Sequence, residues 1–336
     1  MEHIAIDLGG RESQICVRGP EGEIIEESRH PTARLSSYLK RRPPSRVILE
    51  TSAEAFKVAD QAIQLGHDVR VVPATLVPSL GVGSRGVKTD RRDAQILSEV
   101  SSRVDLPSVH IPSELSRYRK SMCTAREAIV SARTQLINTV RGWMRCELLK
   151  IRSSRVTFPE RVRSKALSAP CGLPVFIDQV LRVIEVQTEQ IAQADKQLKE
   201  LALEDPVCIR LMTVPGVGPV TSIRFVAALD DVSRFSNAHA VQCYLGLVPG
   251  ENSSSKRKQR TSITKAGPPR VRWALGQAAH IMRLTRKNDP LVLWAEQVEK
   301  RRGRNIATTA LARRMAGILY AIWRDGTQYD PSRLRA

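Results

Sequence analysis

Residues 4–10, Ile4-Ala5-Ile6-Asp7-Leu8-Gly9-Gly10, decide the fold. Ile4, Ile6 and Leu8 alternate as in a buried strand, Asp7 faces the other way, and the glycines end the strand. Downstream, residues 13–17 and 23–27 read as short strands separated by Gly19-Pro20 and Gly22, which predicts an antiparallel meander. Residues 46–52, RVILETS, give a fourth strand carrying Glu50. Residues 53–65 form an amphipathic helix closed by Gly66, and residues 68–72 form a fifth strand that Pro73 punctuates.

Three strands followed by alternating helix and strand is the order of an RNase H-like α/β domain. An actin-like ATPase is the near alternative. It would use the Asp7-Leu8-Gly9-Gly10 turn as a phosphate loop and would need further glycine-rich loops, for which residues 81–86 are the only nearby cluster. The acids weigh toward the first reading. In residues 88–100, KTDRRDAQILSEV, Asp90 and Asp93 stand three apart at the start of a helix and so share a face. With Asp7 and Glu50 on strands they make four hard oxygen donors without His or Cys, a set suited to Mg²⁺ or Mn²⁺ and to a two-ion clamp on a phosphodiester. The structural counterpart is that Asp90 is a helix N-cap or first-turn acid and Glu50 a strand-end charge.

The chain has 336 residues, 42% of them hydrophobic, which allows two or three domains with real cores, and a formal charge of +19. Basic residues spread along the length point to a polyanionic partner, most simply nucleic acid. No stretch approaches the roughly 18 apolar residues of a membrane span, and MEHIAIDLGG does not read as a signal peptide, so a cytoplasmic protein without a membrane partner is expected. Cys16, Cys123, Cys146, Cys171, Cys208 and Cys243 lie far apart without zinc spacing and read as reduced thiols.

Domains are expected at residues 1–108, 109–205 and 206–336. In the middle one, Leu115, Met122, Ile129, Leu136 and Trp143 recur every seven residues, with Tyr118, Ala125, Ala132 and Thr139 in a second seam position. Ile177, Ile184, Ile191 and Leu198 repeat the pattern, with Val180, Gln187, Ala194 and Leu201 between them. This predicts a coiled coil formed by an antiparallel pair or a dimerising arm, with polar Gln187 controlling register. The basic connector between them, residues 152–173, contains one aromatic residue, Phe158, and reads equally as a backbone-binding segment or a solvated linker.

In the last domain, LMTVPGVGPVTS resembles a helix-hairpin-helix in which Gly216 and Gly218 present backbone N–H groups to a DNA phosphate; a plain turn between helices is the alternative. Helices are expected at 220–229, 238–245, 270–284 and 305–323. Between them lies GLVPGENSSSKRKQRTSITKAG, residues 246–267. Its serines Ser253, Ser254 and Ser255 adjoin Lys256, Arg257, Lys258, Arg260 and Lys265. Such a loop is a phosphate-binding segment, a nucleophile aimed at a phosphodiester, or a solvated surface loop.

Taken together, IAIDLGG, ILETS, KTDRRDA, TVPGVGPVTS, YLGLVPGENSS, SITKAG and YAIWRDGTQYDP occur in the order seen in the DEDD transposases of insertion sequence family 110. Those enzymes are related to the Piv-type DNA invertases and act as bridge-RNA-guided recombinases, and the resemblance covers nearly the whole chain. It implies a RuvC-like N-terminal domain, a coiled coil and a C-terminal serine domain. It also implies Asp7, Glu50, Asp90 and Asp93 as the metal-binding tetrad. The family's serine lies five residues after the proline of its GL[TV]P motif, which selects Ser254; Ser255 stands where the family usually has glycine, so Ser253 and Ser255 stay in play. The implied activity is transesterification of donor and target DNA through a 5′-phosphoserine link, with Mg²⁺ or Mn²⁺, a guide RNA encoded by the element, and a homo-oligomer that is a dimer or, when active, a tetramer. A RuvC-like endonuclease that hydrolyses DNA, with Ser254 only contacting phosphate, is the runner-up. A protein that merely binds DNA through its helix-hairpin-helix is the third reading.

Overall fold

In the computed structural model of the chain, residues 1–77, 89–170, 172–252 and 260–333 are described. They divide into two compact units, Met1–Pro112 and Ser113–Ala336.

The first unit is a mixed α/β body. Its elements are β1 (His3–Asp7), β2 (Glu12–Arg18), β3 (Ile24–Pro31), α1 (Leu35–Leu39), β4 (Arg46–Glu50), α2 (Ala55–Gln64), β5 (Asp68–Val72) and α3 (Asp90–Arg103). The sheet order is β3-β2-β1-β4-β5. β1, β2 and β3 pair antiparallel as the meander predicts, whereas β4 lies parallel to β1 and β5 parallel to β4. Strand alternation gives the sheet two apolar faces. Ile4, Ile6, Val47 and Leu49 pack on the side of α1 and α2, and Ala5, Ile48 and Val72 pack with Leu97 of α3.

The second unit is mostly helical. It runs through α4 (Glu114–Cys146), α5 (Phe158–Leu167), α6 (Val175–Glu204), α7 (Pro206–Leu211), α8 (Pro219–Leu229) and α9 (Ala238–Tyr244). A small ribbon of β6 (Pro249–Glu251) and β7 (Arg260–Ile263) follows, then α10 (Pro269–Thr285), α11 (Pro290–Arg302) and α12 (Arg304–Asp325). Cys123, Leu198 and Ala202 of the long helices share one core with Val226, Leu275 and Leu319.

α4 and α6 run antiparallel; Ile177, Ile184, Ile191 and Leu198 of α6 are buried as expected, but α4 and the second position of α6 use a seam one residue away from the apolar repeat. Leu115 and Tyr118 are exposed, whereas Ser116, Cys123, Ile137 and Met144 are buried and Arg119, Arg133 and Val140 occupy the second position. On α6 the second position is Leu181 and Ala202, not Val180 and Leu201. The reason is polar. Arg126 pairs with Asp195 at 2.8 Å, Arg133 donates to Thr188 at 3.2 Å, and Arg119 meets Asp205 at 2.5 Å. These arginines at heptad spacing, rather than Gln187, fix the register. α4 also packs on α8, so its inner face is wider than a two-helix seam. The connector is not a plain linker either: Phe158 opens α5 and is fully buried.

Candidate functional site

Asp7 and Glu50 end neighbouring parallel strands. Ile6 lies opposite Leu49, so the constant offset brings Asp7 level with Glu50. By alternation Asp7 shares a face with Ala5 and Glu50 shares a face with Ile48, the face that α3 covers.

α3 runs antiparallel to β1. Ser101 near its C-terminus meets His3 Nδ1 at 2.8 Å, Ser98 accepts from Arg18 Nε at 3.0 Å, and Gln95 and Arg91 donate to the carboxylate of Glu27 on β3. The Arg91 hydrogen bond holds the Glu27 carboxyl below the usual range, against a smaller opposing effect of burial. From Ser101 back to Asp93 the helix rises about 12 Å, and from His3 to Asp7 the strand advances about 13 Å. Asp93 therefore stands at the same end of the sheet as Asp7. It lies one turn before Leu97 on the buried stripe and is only 3% exposed. Asp90 is exposed, in the first turn. The N-cap is Thr89, whose hydroxyl accepts from the Arg92 N–H at 3.3 Å, so Asp90 is a first-turn acid and not the cap.

Three carboxylates thus share one face and one end of the sheet, and all are hard oxygen donors of the kind Mg²⁺ takes. Among the described residues, no three His, Cys, Asp or Glu side chains stand close enough to ligate one ion as they lie. Like charges repel unless a cation lies between them, and so oppose closer approach. The fit is therefore one of donor type and placement, with side-chain rotation left to draw the oxygens together.

In the second unit, Ser253, Ser254, Ser255, Lys256, Arg257 and Lys258 lie outside the described residues, but the base of their loop is built in detail. Thr264 N–H donates to Val248 O at 2.9 Å and Lys265 N–H to Gly246 O at 3.1 Å, closing the ribbon in which the backbone of Arg260 lies opposite that of Glu251. At Gly246, φ +66, a Cβ would lie 2.7 Å from Ala266 N, and a Cβ at Gly267 would lie 1.9 Å from Tyr244 O, so both positions require glycine. Lys265 itself adopts φ +56. Arg272 of α10 donates through Nη1 to Leu245 O at 3.1 Å and to Gly267 O, tying the two ends of the loop together. No charge or apolar pattern marks this arginine in the sequence; only the fold brings it to the loop.

Gly216 and Gly218 lie in the turn between α7 and α8. Gly216 has φ +86, and a Cβ there would lie 2.2 Å from Ala278 O, so its absence of side chain is first a packing requirement against α10. Gly218 precedes Pro219 at the N-terminus of α8, makes no side-chain cap, and has nothing within 4 Å of where a Cβ would be. α8 is pinned by Arg224, 6% exposed, which donates to Glu127 at 2.5 Å and to Cys123 O at 3.0 Å. No helix among the described residues is long and apolar enough to cross a membrane.

Two family models match without overlap. Residues 4–146 match a DEDD transposase model of the IS110 type, and residues 208–293 match the transposase model of the IS116/IS110/IS902 family. A probable family 20 transposase of Pseudomonas aeruginosa is 27% identical over 98% of this chain and 99% of its own length. The transposase for insertion sequence element IS1111A of Coxiella burnetii is 26% identical over 95% of this chain and 88% of its own. A pilin gene-inverting protein of Moraxella lacunata is 26% identical, covering 84% and 81%.

Proposed function

We propose that this chain, a DNA transposase similar over nearly its whole length to those of insertion sequences and matched in two segments by IS110-type models, is an RNA-guided serine recombinase with an RNase H-like metal-binding unit. The observation that carries the proposal is the common face and common end of Asp7, Glu50 and Asp93 within the region matched by the DEDD model. The sheet order, with two antiparallel pairs followed by two parallel ones, supports the RNase H-like reading of that unit.

Asp7, Glu50 and Asp93, with Asp90 one turn out on α3, would hold Mg²⁺ or Mn²⁺. Bound there, such ions neutralise charge growing on phosphate oxygens and favour loss of a hydroxyl proton. The remaining work belongs to the chain. Ser254 Oγ attacks the scissile phosphorus; the new P–Oγ bond forms as the P–O3′ bond breaks, the serine proton leaves, and the freed 3′ oxygen takes up a proton. A 3′ hydroxyl of the partner strand then reverses the step, releasing Ser254 and sealing the DNA without ATP. Lys256, Arg257, Lys258, Arg260 and Lys265 hold neighbouring phosphates, and the Gly216–Gly218 turn offers backbone N–H groups to the duplex.

Delegating sequence to a guide RNA suits a protein of +19 charge with 4% aromatic residues. The paired α4 and α6 supply the arm for dimers and, in the active particle, tetramers. The setting proposed is the bacterial cytoplasm, at the nucleoid.

The protein is incubated with its element's RNA, donor and target DNA and Mg²⁺, then denatured. A covalent protein–DNA adduct that Ser254→Ala abolishes supports recombination. Free cleaved ends unaffected by Ser254→Ala would instead identify a hydrolytic RuvC-like nuclease, and absence of any cleavage a DNA-binding protein. Asp93→Ala is expected to remove the adduct while RNA binding persists; strand transfer by that variant would refute the metal role.

A further inference from the structure

The tip of the α4–α6 hairpin carries a concavity lined mostly by basic residues. Leu148, in the left-handed region at φ +58 and 90% exposed, ends α4 and turns the chain back, so that residues 149–152 lie along the helix they have just left. The result is a cleft of about 720 Å³ lined by Arg141, Arg145, Lys150 and Arg152 together with Asn138 and Met144. A second cleft of about 600 Å³ lies on the other side of the same segment, where Lys150 and Arg152 are joined by Arg161 and Lys165 of α5, with Glu160 as its one acid.

The local charges are not balanced internally. Arg163 and Arg182, close by, are tied to Asp178 and Glu185 in ion pairs of 2.5 to 2.9 Å. Among the described residues, no such pair engages Arg141, Arg145, Lys150 or Arg152. The walls are held rigid nonetheless. Arg141 lies over the ring of buried Phe158 at 5.5 Å, and Arg161 Nη1 donates to Arg152 O at 3.0 Å. Several unneutralised cations fixed in two adjoining concave walls repel one another and gain most from a ligand carrying a row of negative charges. Phe158 is buried and no aromatic side chain lines either cleft, which leaves the phosphates as the groups the clefts recognise.

We propose that the hairpin tip is a nucleic-acid-binding site, in which a phosphodiester backbone runs through the two clefts across Lys150 and Arg152. It uses none of the residues assigned to the serine loop and does not depend on the catalytic reading.

The test is fluorescence anisotropy on the full-length chain with a labelled 30-nucleotide RNA and, in parallel, a labelled 30-base-pair DNA, across a salt series. The variant is Lys150→Gln/Arg152→Gln. Lys196→Gln/Lys199→Gln, on an exposed stretch of α6, makes the same change in net charge. The tip variant is expected to lose at least tenfold in affinity, and its dependence of log K on log salt is expected to flatten by about 1.4 for a single strand or 1.8 for a duplex, two phosphate contacts having gone. The control should lose less than threefold. Loss confined to the RNA arm identifies RNA as the strand held, loss confined to the DNA arm identifies DNA, and equal loss identifies a site for either. An unchanged tip variant, or a control that weakens equally, overturns the proposal. Circular dichroism and the thermal midpoint of both variants verify that neither has lost its fold.

Discussion

Arg272, in the first turn of α10, donates a guanidinium hydrogen bond to the backbone carbonyl of Leu245, 3.1 Å away at the far side of the serine loop. The same nitrogen reaches Gly267 O, and burial pulls the Arg272 pKa below its ordinary value. Replacing the side chain leaves two carbonyls without their donor. Arg272→Ala is expected to cost about 2 kcal/mol and to lower the thermal midpoint by roughly 4–8 °C, as read by calorimetry. At temperatures well below that midpoint it is also expected to slow adduct formation at Ser254, because a looser base no longer fixes the loop. An unchanged midpoint would show that the clamp contributes nothing.

The two glycines of the α7–α8 turn should separate on substitution. Gly216→Ala places a Cβ against Ala278 O in a left-handed backbone and is expected to destabilise by about 3 kcal/mol or more. Gly218→Ala meets nothing within 4 Å and should change stability by less than about 1 kcal/mol. Urea unfolding measures both. If Gly218→Ala weakens duplex binding at intact stability, the turn contacts DNA; if it does not, the turn is architectural.

Arg119 and Asp205 form a nearly buried pair, and Asp205 also caps α7 by accepting the Val207 N–H at 2.8 Å. Asp205→Ala therefore loses a cap and strands a guanidinium, an expected cost of about 3–5 kcal/mol. Adding Arg119→Met should recover part of that loss, and a double-mutant cycle gives the coupling directly. Strict additivity would mean that the two side chains do not interact.

Thiol reactivity follows burial. Desolvation pushes Cys208 up to about 12 and raises Cys16 and Cys123, whereas Cys146 and Cys243 are exposed. Iodoacetamide at pH 7.5 followed by peptide mapping should find Cys146 and Cys243 modified and the other three protected. Because the folded pKa of Cys208 lies above its ordinary value of 9.0, the unfolded chain releases that proton first. Its stabilising contribution is complete below about pH 9 and is lost as pH rises toward 12. Rapid labelling of Cys208 in the native protein would contradict this.

Much of the first unit was legible because two-residue alternation is unambiguous in strands buried on one or both faces: residues 68–72 match β5 at both ends, and Asp7 and Glu50 finish their strands. The five-residue α1 was not legible, being shorter than the apolar period needed to recognise a helix. On α6 the repeat of Ile177, Ile184, Ile191 and Leu198 is buried as read, but its second position and the whole repeat on α4 pointed one residue off the seam, since a search for apolar periodicity discards Arg119, Arg126 and Arg133, the residues that set the pairing. α5 was hidden by its own basic surface, and α11, with its Lys300-Arg301-Arg302 end, escaped for the same reason. At the acidic site the residue types were readable, whereas their meeting at one end of the sheet depends on α3 running back along β1, which strand order alone does not dictate. Arg272 could not have been found without the fold.

The antiparallel pairing of α4 and α6 makes that hairpin a ruler. Removing one seven-residue repeat from each helix would retract its end by about 10 Å while turning it by only about 20°, because seven residues are nearly two whole turns. Removing three would shorten it by about 4.5 Å and swing the end by about 60°. Homologues that differ here by multiples of seven would keep the same aim at a different reach.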